Sequence, residues 1–129
     1  MASNVQLVDG SDIPVGNFGG ITPSRVRTGT TGVVKASAGK VFGVTAVNTN
    51  AAARFLHIYD KATAPTLNTD APVVTIPLAA SSAVNQGIPL GTPGIAFTTG
   101  IAWAYTTDNA AVPVTAATSG ELFANFFYA

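Results

Sequence analysis

Glycine and proline punctuate this chain too closely for it to hold a long helix. Gly occurs 13 times and Pro 8 times in 129 residues. Between them, Val, Ile and Thr recur before any apolar stripe of helical period lasts three turns. Ala is abundant and favours helix by propensity, but the spacing decides against it. What remains is a series of short segments rich in β-branched and aromatic residues, bounded by turn residues. That is the pattern of a β-sandwich or barrel.

From residue 30 the segments read one by one. "TTGVVKAS" is a first strand, and Ala38-Gly39 a tight turn. "KVFGVTAVN" follows, with Val41, Thr45 and Val47 on one face and Phe42, Val44 and Ala46 on the other. Both faces are mostly apolar, which predicts a central strand. "NTNAAA" is a loop and "RFLHIYDK" a strand; "ATAPTLNTDAP" is a loop before the strand "VVTIPLA". Pro77 removes a ladder donor and places that last strand at an edge or a bulge. "AVNQGIPL" is a weaker strand, "GIAFTTGIAWAYTT" two short strands or one bent at Thr99-Gly100, "AVPVTAA" another edge element, and "ELFANFFYA" the last strand.

Residues 1–29 differ from the rest. Gly10, Gly16, Gly19, Gly20, Gly29, Pro14 and Pro23 leave only isolated apolar residues between them. The segment reads as an extended arm. Val5, Leu7, Val8, Ile13, Val15, Phe18 and Ile21 argue for packing, since disordered tails are poorer in such residues.

Charged residues make up 9% of the chain, against about 25% in typical soluble domains. Six basic and six acidic side chains cancel, so no long-range field gathers nucleic acid or an anionic membrane. Such a surface is either buried against partners or covered by neutral Thr, Ser and Asn. With no cysteine, disulfides, thiolate catalysis and cysteine metal sites are excluded. "MASNVQLVDGSDIP" carries neither a basic n-region nor an apolar h-region, so no secretory signal is expected there. No run has the length of a membrane-spanning helix.

The single histidine, His57, lies in "RFLHIYDK". Strand alternation puts Arg54, Leu56, Ile58 and Asp60 on one face and Phe55, His57, Tyr59 and Lys61 on the other. Arg54 and Asp60 are then about 20 Å apart, and His57 points away from both. No relay forms within the strand, and a strand histidine between aromatics or at a subunit contact is the simpler reading. Metal ligation would rest on oxygen alone. Asp60, Asp70 and Asp108 are scattered, with no Asp-x-Asp calcium loop, and turn-capping is the ordinary role of a loop Asp. "KASAGKV" fails as a phosphate loop, because Val34 stands where Gly is needed and Val41 follows Lys40. There is no Gly-x-Ser-x-Gly elbow. Arg25 and Arg27 flank Val26, either as solvated charges or as a pair for a partner's carboxylates or phosphate. Ile101, Trp103 and Tyr105 share a face opposite Ala102 and Ala104. An aromatic pair of this kind either fills a core or stacks on a sugar ring.

"NTNAAARFLHIYDKATAPTLNTDAPVVTIPL", then "GIAFTTGIAWAYTTD", then a terminal "NFFYA" resemble a family of short accessory virion proteins from the structural gene clusters of tailed bacteriophages. The resemblance covers about residues 30–129, and no catalytic residue carries over from it. It implies an all-β protein: one jelly-roll-like β-sandwich of seven or eight short strands over residues 30–129, with an extended N-terminal arm over residues 1–29. The expected role is capsid decoration, or cement, on the outside of the major capsid protein shell. Expected with it are a homotrimer at the capsid surface of the virion, no enzymatic activity, no cofactor and no metal. The arm residues Leu7, Val8, Ile13, Phe18, Ile21, Arg25 and Arg27 are the expected contacts with shell or neighbour, as in strand addition to a sheet edge. The alternative is a tail, baseplate or fibre component that touches host glycans through Trp103 and Tyr105.

Overall fold

The computed structural model describes residues 20–84 and 94–129. No helix occurs among them. Nine strand segments follow in order: β1 (Thr22–Val26), β2 (Thr31–Lys35), β3 (Gly39–Asn48), β4 (Arg54–Asp60), β5 (Val74–Leu78), β6 (Ser82–Val84), β7 (Ile95–Phe97), β8 (Ile101–Thr106) and β9 (Leu122–Tyr128).

These segments form two antiparallel sheets. One runs β2-β8-β4-β5; the other runs β1-β9-β3-β6, with β7 also on β3. β7 pairs with Gly39–Val41 and β6 with Ala46–Asn48, so the two share one lane along β3. The molecule therefore has four lanes in each sheet. The chain changes sheet at most connections, and only β4 and β5 are sequential neighbours within a sheet. This order is that of a jelly roll.

The expected strands that fall in the described residues are present with three corrections; of "AVNQGIPL" only Ala83 and Val84 are described, in β6, and residues 85–90 lie outside the described residues. The sandwich begins at Thr22, not at residue 30: β1 pairs with β9 from Thr22↔Tyr128 to Val26↔Ala124, and Val26 is in the core. Pro23 is tolerated because, among the described residues, β1 is an edge strand with β9 its only partner. The second correction is in β3, which is central as expected. A register shift between Val41 and Gly43 turns Val41 inward beside Val44 and Ala46, away from Thr45 and Val47. One extra residue in a strand reverses the faces on either side of it. "AVPVTAA" forms no strand, only a bridge between Ala116 and Thr106.

The core lies between the sheets. Leu56, Ile58, Ile101, Trp103 and Tyr105 from one sheet meet Val41, Val44, Leu122, Ala124 and Phe126 from the other. Each large side chain buried here contributes about 1.5–3 kcal/mol. Gly32 sits directly opposite Trp103, and a Cβ there would lie 2.7 Å from the indole Nε1. The indole thus takes the space that any larger residue at position 32 would occupy. At the edges, β5 carries Pro77 opposite Phe55 and β2 is short and bulged. Both devices disfavour pairing with another sheet.

Candidate functional site

The outer face of the β2-β8-β4-β5 sheet is roofed by the chain's own loops. Tyr59, Ala102 and Ala104 are buried there with Leu67 packed against them. Leu67 lies in the β4–β5 loop, which is tied to the β8–β9 loop where Asn68 N–H donates to the Pro113 carbonyl at 2.8 Å. Alanines at positions 102 and 104 keep this face low enough for the loops to settle on it.

His57 lies under the same roof, 0% exposed and flanked by the rings of Phe55 and Tyr59. Its Nδ1 is 2.8 Å from Thr75 Oγ1 and its Nε2 2.8 Å from Thr106 Oγ1. Thr106 Oγ1 spends its proton on the Asp108 carbonyl at 2.8 Å. It must therefore accept from His57, which puts the ring proton on Nε2 and leaves Nδ1 to accept from Thr75. Burial lowers the pKa below 6.5, opposed by the Asp108 carbonyl and carboxylate. Thr75 is the hydroxyl that donates to the ring, and the other ring nitrogen is held by the Thr106 hydroxyl and the Asp108 backbone carbonyl, with no carboxylate side chain bonded to it among the described residues. The ring joins β4, β5 and the end of β8.

Asp60 at the end of β4 and the loop residues Asp70 and Asp108 do not converge. Asp60 accepts from the backbone N–H groups of Thr98, Thr99 and Gly100 and from the Thr98 hydroxyl. Those donors hold its carboxyl down at about 2 and fix the bend between β7 and β8. Asp70 pairs with Lys61 and accepts from Thr66 N–H at 2.7 Å; both lower its pKa. Asp108 accepts from Val114 and Thr115 N–H groups. Among the described residues no group of three His, Cys, Asp or Glu could hold a metal ion.

A second buried polar cluster closes one end of the sandwich, and the sequence reading did not single it out. Asn48, 0% exposed, accepts from Tyr105 Oη at 2.8 Å and donates to the carbonyls of Ala52 and Ala79. Asn50 donates to Glu121, whose other oxygen lies 3.7 Å from Arg54 Nε. Burial and the Glu121 carboxylate push the Tyr105 phenol up to about 12. The signal was the run Asn48-Thr49-Asn50 at the end of a strand, but its partners Ala79, Tyr105 and Glu121 are remote in sequence.

Trp103 and Tyr105 lie in the core, 4% and 0% exposed. Neither offers a ring face to a sugar, because inward alternation along β8 turns both toward the opposite sheet. Glycan stacking at this pair is thereby corrected to core packing. Of the expected arm contacts, Leu7, Val8, Ile13 and Phe18 lie outside the described residues. Ile21 is half-buried, while Arg25 on β1 and Arg27 just after it are exposed.

The outer face of the other sheet is different. Register stacks Pro23, Phe127 and Gly43 in one row and Arg25, Asn125 and Thr45 in the next; Phe123 and Val47 continue it. Arg27 places its guanidinium 4.2 Å from the Phe123 ring centroid, and Phe123 is 38% exposed. Aromatics on both faces of "ELFANFFYA" signalled this surface. The molecule is thus a jelly-roll module whose described polar side chains largely hold its own loops. No family model, curated protein or solved structure matches the chain.

Proposed function

We propose that this chain is a capsid decoration, or cement, protein of a tailed bacteriophage, bound as a homotrimer to the outside of the major capsid protein shell. The reading rests on the sequence resemblance over residues 30–129 and on the jelly-roll fold. The observation that carries it is how the polar groups are used. His57, Asp60, Asp70, Asp108 and Glu121 each engage another part of the same chain. What faces outward on β1, β9 and β3 is an open surface where Phe123 and Phe127 stand beside Arg25 and Arg27, suited to packing against protein. The mechanism is mechanical: copies bridge adjacent capsid subunits and resist the internal pressure of packaged DNA. Closed symmetry is the common form of homo-oligomers, and a three-fold arrangement suits positions on an icosahedral shell.

Quantitative mass spectrometry of purified virions tests this directly. The expected copy number is close to that of the major capsid protein. A ratio of a few per cent would move the chain to the tail or a vertex, and absence from particles would overturn the virion reading altogether.

A further inference from the structure

The carboxylate side chains among the described residues are all engaged within the chain. Glu121 meets Arg54 and Asn50, Asp70 meets Lys61, and Asp60 and Asp108 accept from backbone N–H groups. Arg25 and Arg27 form no ion pair among those residues. Both are exposed on the outer face of the β1-β9-β3 sheet, two positions and so about 7 Å apart along the chain. The Arg27 guanidinium rests 4.2 Å from the centroid of the Phe123 ring. Stacking holds this planar fork in place and leaves its edge of N–H donors for a carboxylate. Between the arginines and β3, Asn125 Nδ2 donates to Thr45 Oγ1 at 3.1 Å, so the neutral polar groups of these rows match each other. The face offers a partner two cations beside the apolar surface of Phe123 and Phe127.

From this charge pattern we infer that the β1-β9-β3 face docks on a pair of acidic side chains of the capsid subunit, flanked by apolar residues; the inference rests on the virion reading and names the chemistry of its contact. Each carboxylate takes one arginine, and Phe123 and Phe127 pack on the apolar residues between and beside them. A second copy of this chain is a poorer occupant. Its described carboxylates are engaged in the same way, and the face set against itself would bring guanidinium groups together. Nucleic acid is poorer too, because two cations neutralise only about two phosphates and the whole chain has a formal net charge of +0.

Rebinding to shells of the same phage stripped of this chain tests it, reading bound copies per capsid subunit against free concentration. R25Q/R27Q should bind at least tenfold more weakly than the parent. A64E/A111E alters exposed positions on the loops over the opposite sheet. It changes the net charge by the same amount and should bind as the parent does. Raising NaCl from about 50 to 500 mM should weaken the parent and hardly affect R25Q/R27Q. The Tm of each variant, followed in parallel, should match the parent. On shells that bind the parent, unchanged affinity of R25Q/R27Q, equal losses in the two variants, or parent binding indifferent to salt would overturn the inference and leave the virion reading standing. Retention on single-stranded DNA that R25Q/R27Q loses, with its shell binding intact, would overturn it by assigning the pair to phosphates. Shells that take up none of the parent would overturn the virion reading itself, and the inference with it.

Discussion

The two outer faces of the sandwich have opposite designs. On β2-β8-β4-β5, small residues (Ala102 and Ala104) admit two loops, and His57 and Tyr59 disappear beneath them. On β1-β9-β3, large and charged residues stand up from the sheet: Arg25, Arg27 and Phe123 are exposed, and Phe127 is partly so. The first face is finished by its own chain through local contacts such as Asn68 to Pro113. The second presents two guanidinium groups in no ion pair among the described residues, Arg27 resting on the Phe123 ring. A sheet needs both faces accounted for, and the unfinished one is where a partner or the remaining chain has most to gain.

The largest expected effect separates the arm from the sheet it joins. Deleting residues 1–19 leaves all described strands in place, and urea unfolding should remain cooperative, with a loss of about 1 kcal/mol or less. Deleting residues 1–29 also removes β1. That strips one of its two ladders from β9, uncovers the core at Val26, and should cost roughly 4 kcal/mol or more. Equal stability of the two truncations would mean that β1 is no part of the folded unit.

A smaller effect compares the faces directly. Ala104→Leu inserts three heavy atoms beneath the roof, at a position 0% exposed, and should destabilise by about 1–3 kcal/mol. Thr45→Leu, on the open face, should stay within about 0.5 kcal/mol of the parent. Denaturant midpoints at matched m-values decide between them. If the two substitutions cost the same, the contrast between covered and open face fails.

Much of this architecture was legible in the sequence, and the parts that were not share a cause. Alternation placed Leu56 and Ile58 opposite His57 and Tyr59, and Ile101, Trp103 and Tyr105 opposite the alanines, because period two is a local property of a strand. Pro77 marked an edge for an equally local reason. The facing of Val41 was misread because a bulge is set by the partner strand and leaves no mark in a single segment. β1 was absorbed into the arm because "TPSRV" has a proline and only one buried apolar residue; its pairing with β9 supplies what its composition lacks. The Asn48–Tyr105 bond and the roof over His57 join residues 57 and 51 positions apart, beyond the reach of any pattern within a strand.

The least of the expected effects uses His57 as a reporter of the covered face. Its folded pKa lies below the ordinary histidine value of 6.5, with burial as the leading cause. Above pH 6.5 the ring is neutral in both folded and unfolded chains and makes no difference to stability. As pH falls below 6.5, the unfolded chain takes up a proton that the folded chain refuses, so stability declines until the folded pKa is reached and is flat beneath it. Asp108, the nearby carboxylate on the β8–β9 loop, works against the shift but does not reverse it. Asp60 acts in a separate window, since its carboxyl at about 2 against 3.8 loses its contribution only in stronger acid. Urea denaturation at pH 7.5, 6.5 and 5.5 should therefore show a decline confined to the lower interval, and His57→Gln should flatten it. An NMR titration of the imidazole gives the sharper test. A midpoint at or above 6.5 would mean that water reaches the ring, and that the loops do not seal the face on which the comparison rests.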